Sequence, residues 1–185
     1  GLVIGKFMPV HEGHLALIRF AIQNCDELIV SMSYLDNDPI PGPLRFSWLK
    51  EIFQNEQKIK LYSVVDDFDD ESLPWEHRTR IWADFLLSRY GKIDVVVSSE
   101  ENHISFDAER TMVPIKATSI RLKPFDNWNY IPKEVRPYFV KKICFYGPES
   151  TGKSVMAQSF AEAYQTEFVP EVAREIVSSN DFTLD

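Results

Sequence analysis

The sequence predicts an α/β fold in which a doubly wound parallel sheet is followed by the start of a second α/β domain. Short apolar runs alternate with amphipathic helical segments through most of the chain, which indicates strands covered by helices. The runs are nearly continuously apolar, as is typical of parallel strands buried on both faces. Two loops about 135 positions apart each join a strand to a helix, which indicates two domains.

Residue periodicity places the elements of the first domain. The expected strands span residues 1–5, 27–33, 59–65, 93–98 and 111–115, and the expected helices span residues 14–25, 44–55 and 75–90. A stretch with three prolines, 123–137, precedes the second loop. We therefore expect a first domain over residues 1–130 and a linker over residues 131–140.

The composition describes a globular protein. The formal net charge is −8, so the basic surface that nucleic-acid backbones require is missing and no nucleic-acid partner is expected. No apolar run approaches a membrane span and no signal peptide is visible, so we expect a soluble, cytoplasmic protein. Both cysteines, Cys25 and Cys144, lie in apolar patterns and are expected to be buried and reduced. Local positive charge for an anionic small molecule is available from Lys6, Arg45, Arg121 and Lys153.

The most specific pattern is Gly147-Pro-Glu-Ser-Thr-Gly-Lys-Ser154, which matches the P-loop consensus G-x-x-x-x-G-K-[ST]. An apolar strand at 141–146 is expected before it and a helix at 152–164 after it, the context that this motif requires. In such a loop the lysine reaches the β- and γ-phosphates and the serine holds Mg²⁺. The predicted ATP-binding residues are Gly147, Glu149, Ser150, Thr151, Gly152, Lys153 and Ser154, with Ser154 as the Mg²⁺ ligand.

The second domain, over residues 141–185, is expected to be incomplete. After the helix, only a short strand near 166–169 and a helix from Glu171 are predicted. A P-loop domain also needs a second acidic strand end near the Mg²⁺. We therefore expect the start of such a domain rather than all of it.

A second motif for phosphate binding follows the first strand, in Lys6-Phe-Met-Pro-Val-His-Glu-Gly-His14. Two histidines three apart, with a glycine between them and a helix beginning nearby, suit an anion at a helix N-terminus. Paired histidines can also bind a metal, but no third ligand lies at helical spacing nearby, which disfavours that interpretation. The sequence therefore predicts a phosphate site at the carboxyl end of the first strand.

Three segments together resemble a known family. Residues 5–14 are similar to the first signature of the nucleotidyltransferase superfamily with a Rossmann-like fold, and Ala117-Thr-Ser-Ile-Arg121 is similar to its second. With the P-loop, this order resembles the bifunctional NadR family, which joins a nicotinamide mononucleotide adenylyltransferase to a ribosylnicotinamide kinase. The resemblance implies AMP transfer from ATP to the mononucleotide, giving NAD and pyrophosphate. It also implies phosphorylation of nicotinamide riboside by a complete second domain.

The resemblance also implies roles for single residues. His11, His14, Arg121 and Lys153 would be catalytic, and the transferase nucleotide would contact Gly5, Lys6, Phe7, His11, His14, Ser98, Ser99, Glu100, Thr118, Ile120 and Arg121. Glu171 and Arg174 would face the riboside. Lys116 stands where the family usually has serine, so one hydroxyl contact is missing, although a lysine there could still reach phosphate. Among the aromatic residues, Trp75 is the best candidate to contact nicotinamide, although core packing explains most tryptophans at helical spacing.

The expected ligands are ATP with Mg²⁺, nicotinamide mononucleotide, nicotinamide riboside and NAD. The family resemblance adds functional coupling to a nicotinamide riboside transporter, and an oligomeric state stays open. Two alternatives remain. A cytidylyl- or phosphopantetheine adenylyltransferase would share the histidine motif without the P-loop, and an NAD- or ATP-sensing regulator would bind the same ligands.

Overall fold

The computed structural model of the chain describes residues 1–68, 72–98, 104–107, 109 and 111–170. After Val140 the chain divides into two compact units. The first, Gly1–Val140, contains every strand of the described residues. The second begins at Lys141.

In the first unit, strands and helices alternate as the sequence predicts. In chain order, the elements are β1 (Leu2–Gly5), α1 (Glu12–Gln23), β2 (Leu28–Tyr34), α2 (Gly42–Ile52), β3 (Ile59–Val65), α3 (Trp75–Tyr90), β4 (Val97–Ser98), β5 (Ile104–Ser105) and α4 (Ala117–Leu122). Two 3₁₀ turns follow at Trp128–Tyr130 and Arg136–Tyr138.

The sheet changes direction next to its first strand. Strands β1, β2 and β3 pair in parallel and in sequence order. On the other side of β1, Leu2 bridges to Val96 in parallel, and its N–H donates to the Val95 carbonyl at 2.9 Å. The chain therefore proceeds outward from β1 to β3 and then returns to the opposite side of β1 at β4. This reversal is the topological switch point at which open α/β sheets bind ligands, and it confirms the predicted Rossmann-like class.

The hydrophobic core lies between the sheet and its helices. Strands supply β-branched and other apolar residues that are almost fully buried, and α1 and α2 cover them with aliphatic and aromatic side chains. The core includes Val3, Val30 and Met32 from the strands and Leu15, Ile18, Trp48 and Leu49 from the helices. Burial of these side chains fixes the carboxyl ends of the strands, where the site is expected.

Three predicted boundaries in the first unit need correction. Residues 111–115 form no strand, because the N–H groups of residues 111–113 donate to the Asp107 carboxylate instead of a neighbouring strand. The strand predicted at 93–98 is regular only at Val97–Ser98. The segment 131–140, predicted as a linker, contributes Ile131 and Val135 to the core of the first unit.

In the described part of the second unit, residues 141–170, a loop at 147–152 leads into helix α5 (Lys153–Tyr164). The predicted strands at 141–146 and 166–169 are not formed, because residues 141–170 include no partner strand for their backbone groups. Cys144, expected to be buried, is accordingly exposed, and Cys25 is partly buried. The helix predicted from Glu171 lies outside the described residues.

The described helices were also compared with the length and hydropathy of a membrane-spanning helix. Among them, none is both long enough and apolar enough to pass through a bilayer.

Candidate nucleotide site

The two histidines of the first motif lie together at the start of α1. His11 is the N-cap, and its Nδ1 accepts a hydrogen bond from the His14 N–H at 3.4 Å. The His11 and His14 rings are stacked, with centroids 3.7 Å apart and planes inclined by 20°. The Phe7 ring meets His14 edge-on at 4.9 Å. Both imidazoles are thus fixed at the positive end of the helix dipole.

Gly13 makes this stacking possible. A Cβ atom at residue 13 would lie 3.0 Å from Cε1 and 3.1 Å from Nδ1 of His11, and 3.5 Å from Cγ2 of Ile115. Any larger residue would therefore press on the His11 ring. The spacing His-x-Gly-His has this physical cause, which sequence reasoning described only as a helix start.

A cavity of about 300 Å³ opens beside the histidine pair. One wall is the N-terminal part of α1, with His11, Gly13, His14 and Leu17. The opposite wall is formed by the segment before α4 and its first residues, namely Phe106, Asp107, Val113, Ile115, Lys116, Ala117 and Thr118. The two signatures predicted to act together are thus the two sides of one cavity.

Asp107 organises the second wall, and no sequence pattern indicated this. Its backbone has a φ of +49°, a left-handed conformation that aspartate tolerates better than most residues. Its carboxylate accepts bonds from the N–H of Thr111 at 2.7 Å, of Met112 at 3.0 Å and of Val113 at 3.0 Å. The Thr111 hydroxyl adds a fourth at 3.2 Å. Led by the Met112 N–H, these bonds outweigh burial and lower the pKa of Asp107 below its usual value.

Arg121 links the two signatures directly. Its Nη1 donates to the Met8 carbonyl in the loop after β1, and its Nη2 donates to the Thr118 hydroxyl at 3.3 Å. A guanidinium has five N–H donors, so these two bonds leave capacity for an anionic oxygen. The predicted catalytic arginine therefore lies beside the loop that carries the histidines.

Arg45 has a different role from the one expected. It was a candidate source of positive charge for a ligand, but its side chain is fully buried. Nη1 donates to the Lys6 carbonyl and Nη2 pairs with Asp38, whose carboxylate also accepts from the Leu35 N–H at 3.0 Å. Burial without a partner would be costly for this charge, so it serves internally to hold the loop after β1.

The remaining predicted transferase residues differ in accessibility. Gly5 ends β1 and packs against the Phe7 ring, while the Lys6 side chain is exposed. Ser98 lies in β4, and its carbonyl accepts from the Phe106 N–H at 2.9 Å, which connects β4 to the cavity wall. The Ile120 side chain is completely buried in the core. Any ligand contact at residue 120 is therefore restricted to its backbone.

The other predicted ligand contacts are Ser99, Glu100, Trp75, Glu171 and Arg174. Ser99, Glu100, Glu171 and Arg174 lie outside the described residues. Trp75 is the first residue of α3 and its side chain is 70% exposed. It does not line the cavity, although its exposure leaves the ring accessible.

The second loop has the backbone geometry of a phosphate-binding turn. Gly152 has a φ of +80° and is the N-cap of α5, and Gly147 has a φ of +153°, both disfavoured for other residues. The Lys153 ammonium donates to the Pro148 carbonyl at 2.6 Å, and the Thr151 hydroxyl donates to the same carbonyl at 2.8 Å. Lys153 therefore lies over the loop, and Ser154 follows in the first turn of the helix.

The fold and the two loops together define a class of α/β protein. The first unit is a Rossmann-like α/β unit with a His-x-Gly-His turn at the sheet's switch point, and the second contains a P-loop that opens a helix. Both loops place backbone N–H groups and cationic or imidazole side chains at a helix N-terminus. The chain is thus a tandem of two units, each with a predicted phosphate-binding loop at the start of a helix.

Comparison with known proteins specifies the class further. A family model described as AAA domain matches residues 142–185. The chain is 30% identical to the trifunctional NAD biosynthesis/regulator protein NadR of Escherichia coli (strain K12), over 97% of this chain and 50% of that protein. It is 26% identical to the nicotinamide-nucleotide adenylyltransferase of Thermococcus onnurineus (strain NA1), over 77% of this chain and 82% of that protein.

A solved structure agrees with the sequence comparison. The crystal structure of NadR in complex with NR superposes with a TM-score of 0.73 at 25% identity, covering 98% of this chain and 57% of that chain. The resemblance to the NadR family is therefore confirmed across both units. The chain spans about half the length of the curated relatives that it matches.

Proposed function

We propose that the first unit transfers AMP from ATP to nicotinamide mononucleotide, giving NAD and pyrophosphate. The observation that supports this most is the stacked His11–His14 pair, which faces Thr118 across a single cavity. The similarity to a nicotinamide-nucleotide adenylyltransferase over most of both chains supports the choice of substrate.

The proposed reaction needs no protein nucleophile. An oxygen of the mononucleotide 5′-phosphate attacks the α-phosphorus of ATP, the bond to the β-phosphate oxygen breaks, and pyrophosphate leaves. Catalysis then consists of alignment and of stabilising charge on the α-phosphate and the leaving group. His14 and Arg121 are proposed for this charge, and His11, held as the N-cap, for orientation.

The residues also suit magnesium bound together with ATP. Within the described ranges, no three His, Cys, Asp or Glu side chains come together as a metal-binding group. Mg²⁺ commonly uses few protein ligands and takes the others from phosphates and water, which fits a nucleotide-bound ion. In the second unit the Ser154 hydroxyl, beside Lys153 at the start of α5, would be such a ligand.

For the second unit we propose γ-phosphoryl transfer from ATP to the 5′-hydroxyl of nicotinamide riboside when the kinase domain is complete. Lys153 would stabilise charge on the β- and γ-phosphates. The product of this step, nicotinamide mononucleotide, is the proposed substrate of the first unit, so the two units would catalyse consecutive reactions. A cytidylyl- or phosphopantetheine-type transferase leaves the P-loop unexplained.

The other expectations from the sequence remain predictions. Trp75 is proposed as the nicotinamide contact because its ring is exposed at the start of α3. Coupling to a riboside transporter, self-association and a cytoplasmic location also stay predictions.

The test is a coupled assay for NAD with Mg-ATP and either the mononucleotide or the riboside. NAD formation from the mononucleotide should fall by about 10²–10³-fold in His14→Ala, the usual effect of losing one charge-stabilising donor. His77→Ala, which removes an exposed histidine from α3, is the matched control and should leave the rate unchanged. A folded wild-type chain that forms no NAD from the mononucleotide would refute the proposal.

The riboside arm tests the second unit. In a protein whose kinase domain is complete, NAD from the riboside should disappear in Lys153→Ala and persist in Lys142→Ala, which changes an exposed lysine of the same unit. Loss of the riboside activity in both variants would remove the P-loop from the proposal.

A further inference from the structure

The loop that forms the second cavity wall is closed by one side chain. The Asp107 carboxylate accepts four hydrogen bonds from residues 111–113, at 2.7 to 3.2 Å. Three of these donors are consecutive backbone N–H groups. Bonds to a charged acceptor are stronger than neutral ones, so this carboxylate holds residues 111–113 beside residue 107.

Residues 113–115 then lead to the start of α1, where His11 and His14 lie. The Val113 carbonyl accepts the Ile115 N–H at 2.8 Å, which directs the chain inward so that Ile115 is 5% exposed. A Cβ atom at Gly13 would lie 3.5 Å from Cγ2 of Ile115, so Ile115 lies beside the first turn of α1. The next residue, Lys116, is the N-cap of α4, which carries Thr118 and Arg121. The position of the Asp107 loop therefore sets the spacing between the two signatures.

The bonding of Asp107 argues against a chemical role for its carboxylate. Both oxygens are engaged, Oδ1 by Thr111 and Met112 and Oδ2 by Val113. A general base or a metal ligand would have to give up these bonds to act. Loss of the acceptor would instead release three backbone N–H groups and the turn that they fix.

We propose that Asp107 is a positioning residue for the nucleotide site, holding residues 111–118 at the distance from His11 and His14 that the phosphates of ATP require. The identity of the ligand rests on the proposed function of this unit. Asp107 is not itself a contact for the reacting atoms. Its effect is on the geometry of the wall that carries Thr118 and leads to Arg121.

The experiment measures Mg-ATP binding to the full chain by titration calorimetry, in a Lys153→Ala background that disables the P-loop. Asp107→Asn keeps the shape of the side chain but replaces one acceptor oxygen with a donor. We expect its Kd to rise by about tenfold or more, the equivalent of one or two lost charge-assisted hydrogen bonds. The number of sites per chain should not change.

Two further variants sharpen the result. Thr111→Val removes only the hydroxyl bond at 3.2 Å and should raise Kd by a smaller factor of about 2–10. It also carries the test if Asp107→Asn does not fold. Asp94→Asn removes the same charge from an exposed carboxylate that pairs with Lys92, and it should bind like the background protein.

The outcomes separate positioning from general stability. A merely structural role would lower the number of sites and leave Kd unchanged, and that result would overturn the proposal. Equal weakening in Asp94→Asn, or an unchanged Kd in a fully folded Asp107→Asn, would also overturn it. If the chain binds ATP, weakens with Asp107→Asn and yet makes no NAD, the positioning role stands and the proposed transferase activity fails.

Kinetics give a second readout in the Lys153→Ala chain. Because a displacement of about 1 Å in a catalytic site can cost about 10²-fold, Asp107→Asn should reduce kcat/KM for ATP by about 10–100-fold. A decrease confined to kcat, with KM for ATP unchanged, would indicate a smaller folded fraction and contradict the proposal.

Discussion

Residue 13 is a glycine because the His11 ring occupies the space that a larger side chain would need. The backbone at Gly13, the second residue of α1, is not in the left-handed region that favours glycine, so Gly13→Ala should change thermal stability little. Its Cβ would nevertheless lie 3.0 Å from the His11 ring, closer than ordinary contact. We expect kcat/KM to fall by about tenfold, because the imidazole must shift by a few tenths of an ångström.

The measurement for Gly13→Ala pairs a melting temperature with the NAD assay. Gly13→Ser, which adds a further atom at the same place, should lose more activity. A fully active Gly13→Ala would show that the position of the His11 ring is not critical. Parallel losses of stability and activity would instead indicate a general packing defect.

Asp107 gives a pH dependence whose sign can be stated. Hydrogen bonds, first from Met112 and then from Val113 and Thr111, lower its pKa in the folded chain. The stabilisation is therefore complete above the unfolded pKa of about 3.9 and is lost as the pH falls through the folded value. The difference in melting temperature between wild type and Asp107→Asn should be largest near neutral pH and shrink below about pH 4.

The control for this pH series is Asp94→Asn. The pKa of Asp94 is also lowered, by its hydrogen bond and ion pair with Lys92, but both groups are exposed. Exposed pairs contribute little to stability, so this variant should differ little from wild type at any pH. A difference for Asp107→Asn that stays constant from pH 7 to pH 3 would contradict the assigned bonding.

At the scale of elements, residue periodicity predicted the main helices and strands. It failed where the hydrogen-bond partners of the backbone lie elsewhere in the chain. Helix α3 was predicted at 75–90 and strand β3 at 59–65, and both bounds are observed. Helix α1 begins two residues earlier than predicted, because His11 acts as an unusual N-cap. The strand expected at 111–115 is wrong because a side chain, Asp107, takes the backbone donors that a strand would use.

Helix α4 lacks a side-chain cap because Lys116 stands where the family usually has serine. Lys116 is its N-cap residue with extended backbone angles, and its side chain makes no capping bond. Serine there would accept from an N–H of the first turn, an interaction worth about 0.5–2 kcal/mol. We expect Lys116→Ser to stabilise the first unit and to weaken Mg-ATP binding, because a positive charge leaves the cavity wall.

Tryptophan fluorescence is a suitable measure of this effect. All four tryptophans, at positions 48, 75, 82 and 128, belong to the first unit, so urea unfolding followed by their emission monitors that unit alone. Lys133→Ser makes the same change on an exposed side chain that does not line the cavity and should alter neither quantity. Unchanged stability in Lys116→Ser would mean that the cap does not form.

At the scale of the whole molecule, the sequence predicted the residues that lie in short motifs but not the hydrogen bonds between residues far apart in the chain. The histidines, Arg121 and the P-loop were predicted because each sits in a short pattern. Arg45 and Arg121 hold backbone carbonyls 39 and 113 positions away, at Lys6 and Met8. No local pattern encodes such contacts, which appear only when the strands have paired and the core has closed.

The tandem arrangement leads to a prediction about independence of the two nucleotide loops. Ligand binding stabilises a folded unit by about 2.7 kcal/mol at a hundredfold excess over Kd, so Mg-ATP should slow amide exchange at each loop. In the wild-type chain, protection should appear in peptides covering residues 5–14 and 115–121 and in those covering 147–154. His14→Ala should lose the first set and keep the second, and Lys153→Ala should do the reverse, as hydrogen-exchange mass spectrometry can resolve. Loss of both sets in either variant would mean that the two loops bind nucleotide as one coupled site, and the separate roles proposed for the two units would then be wrong.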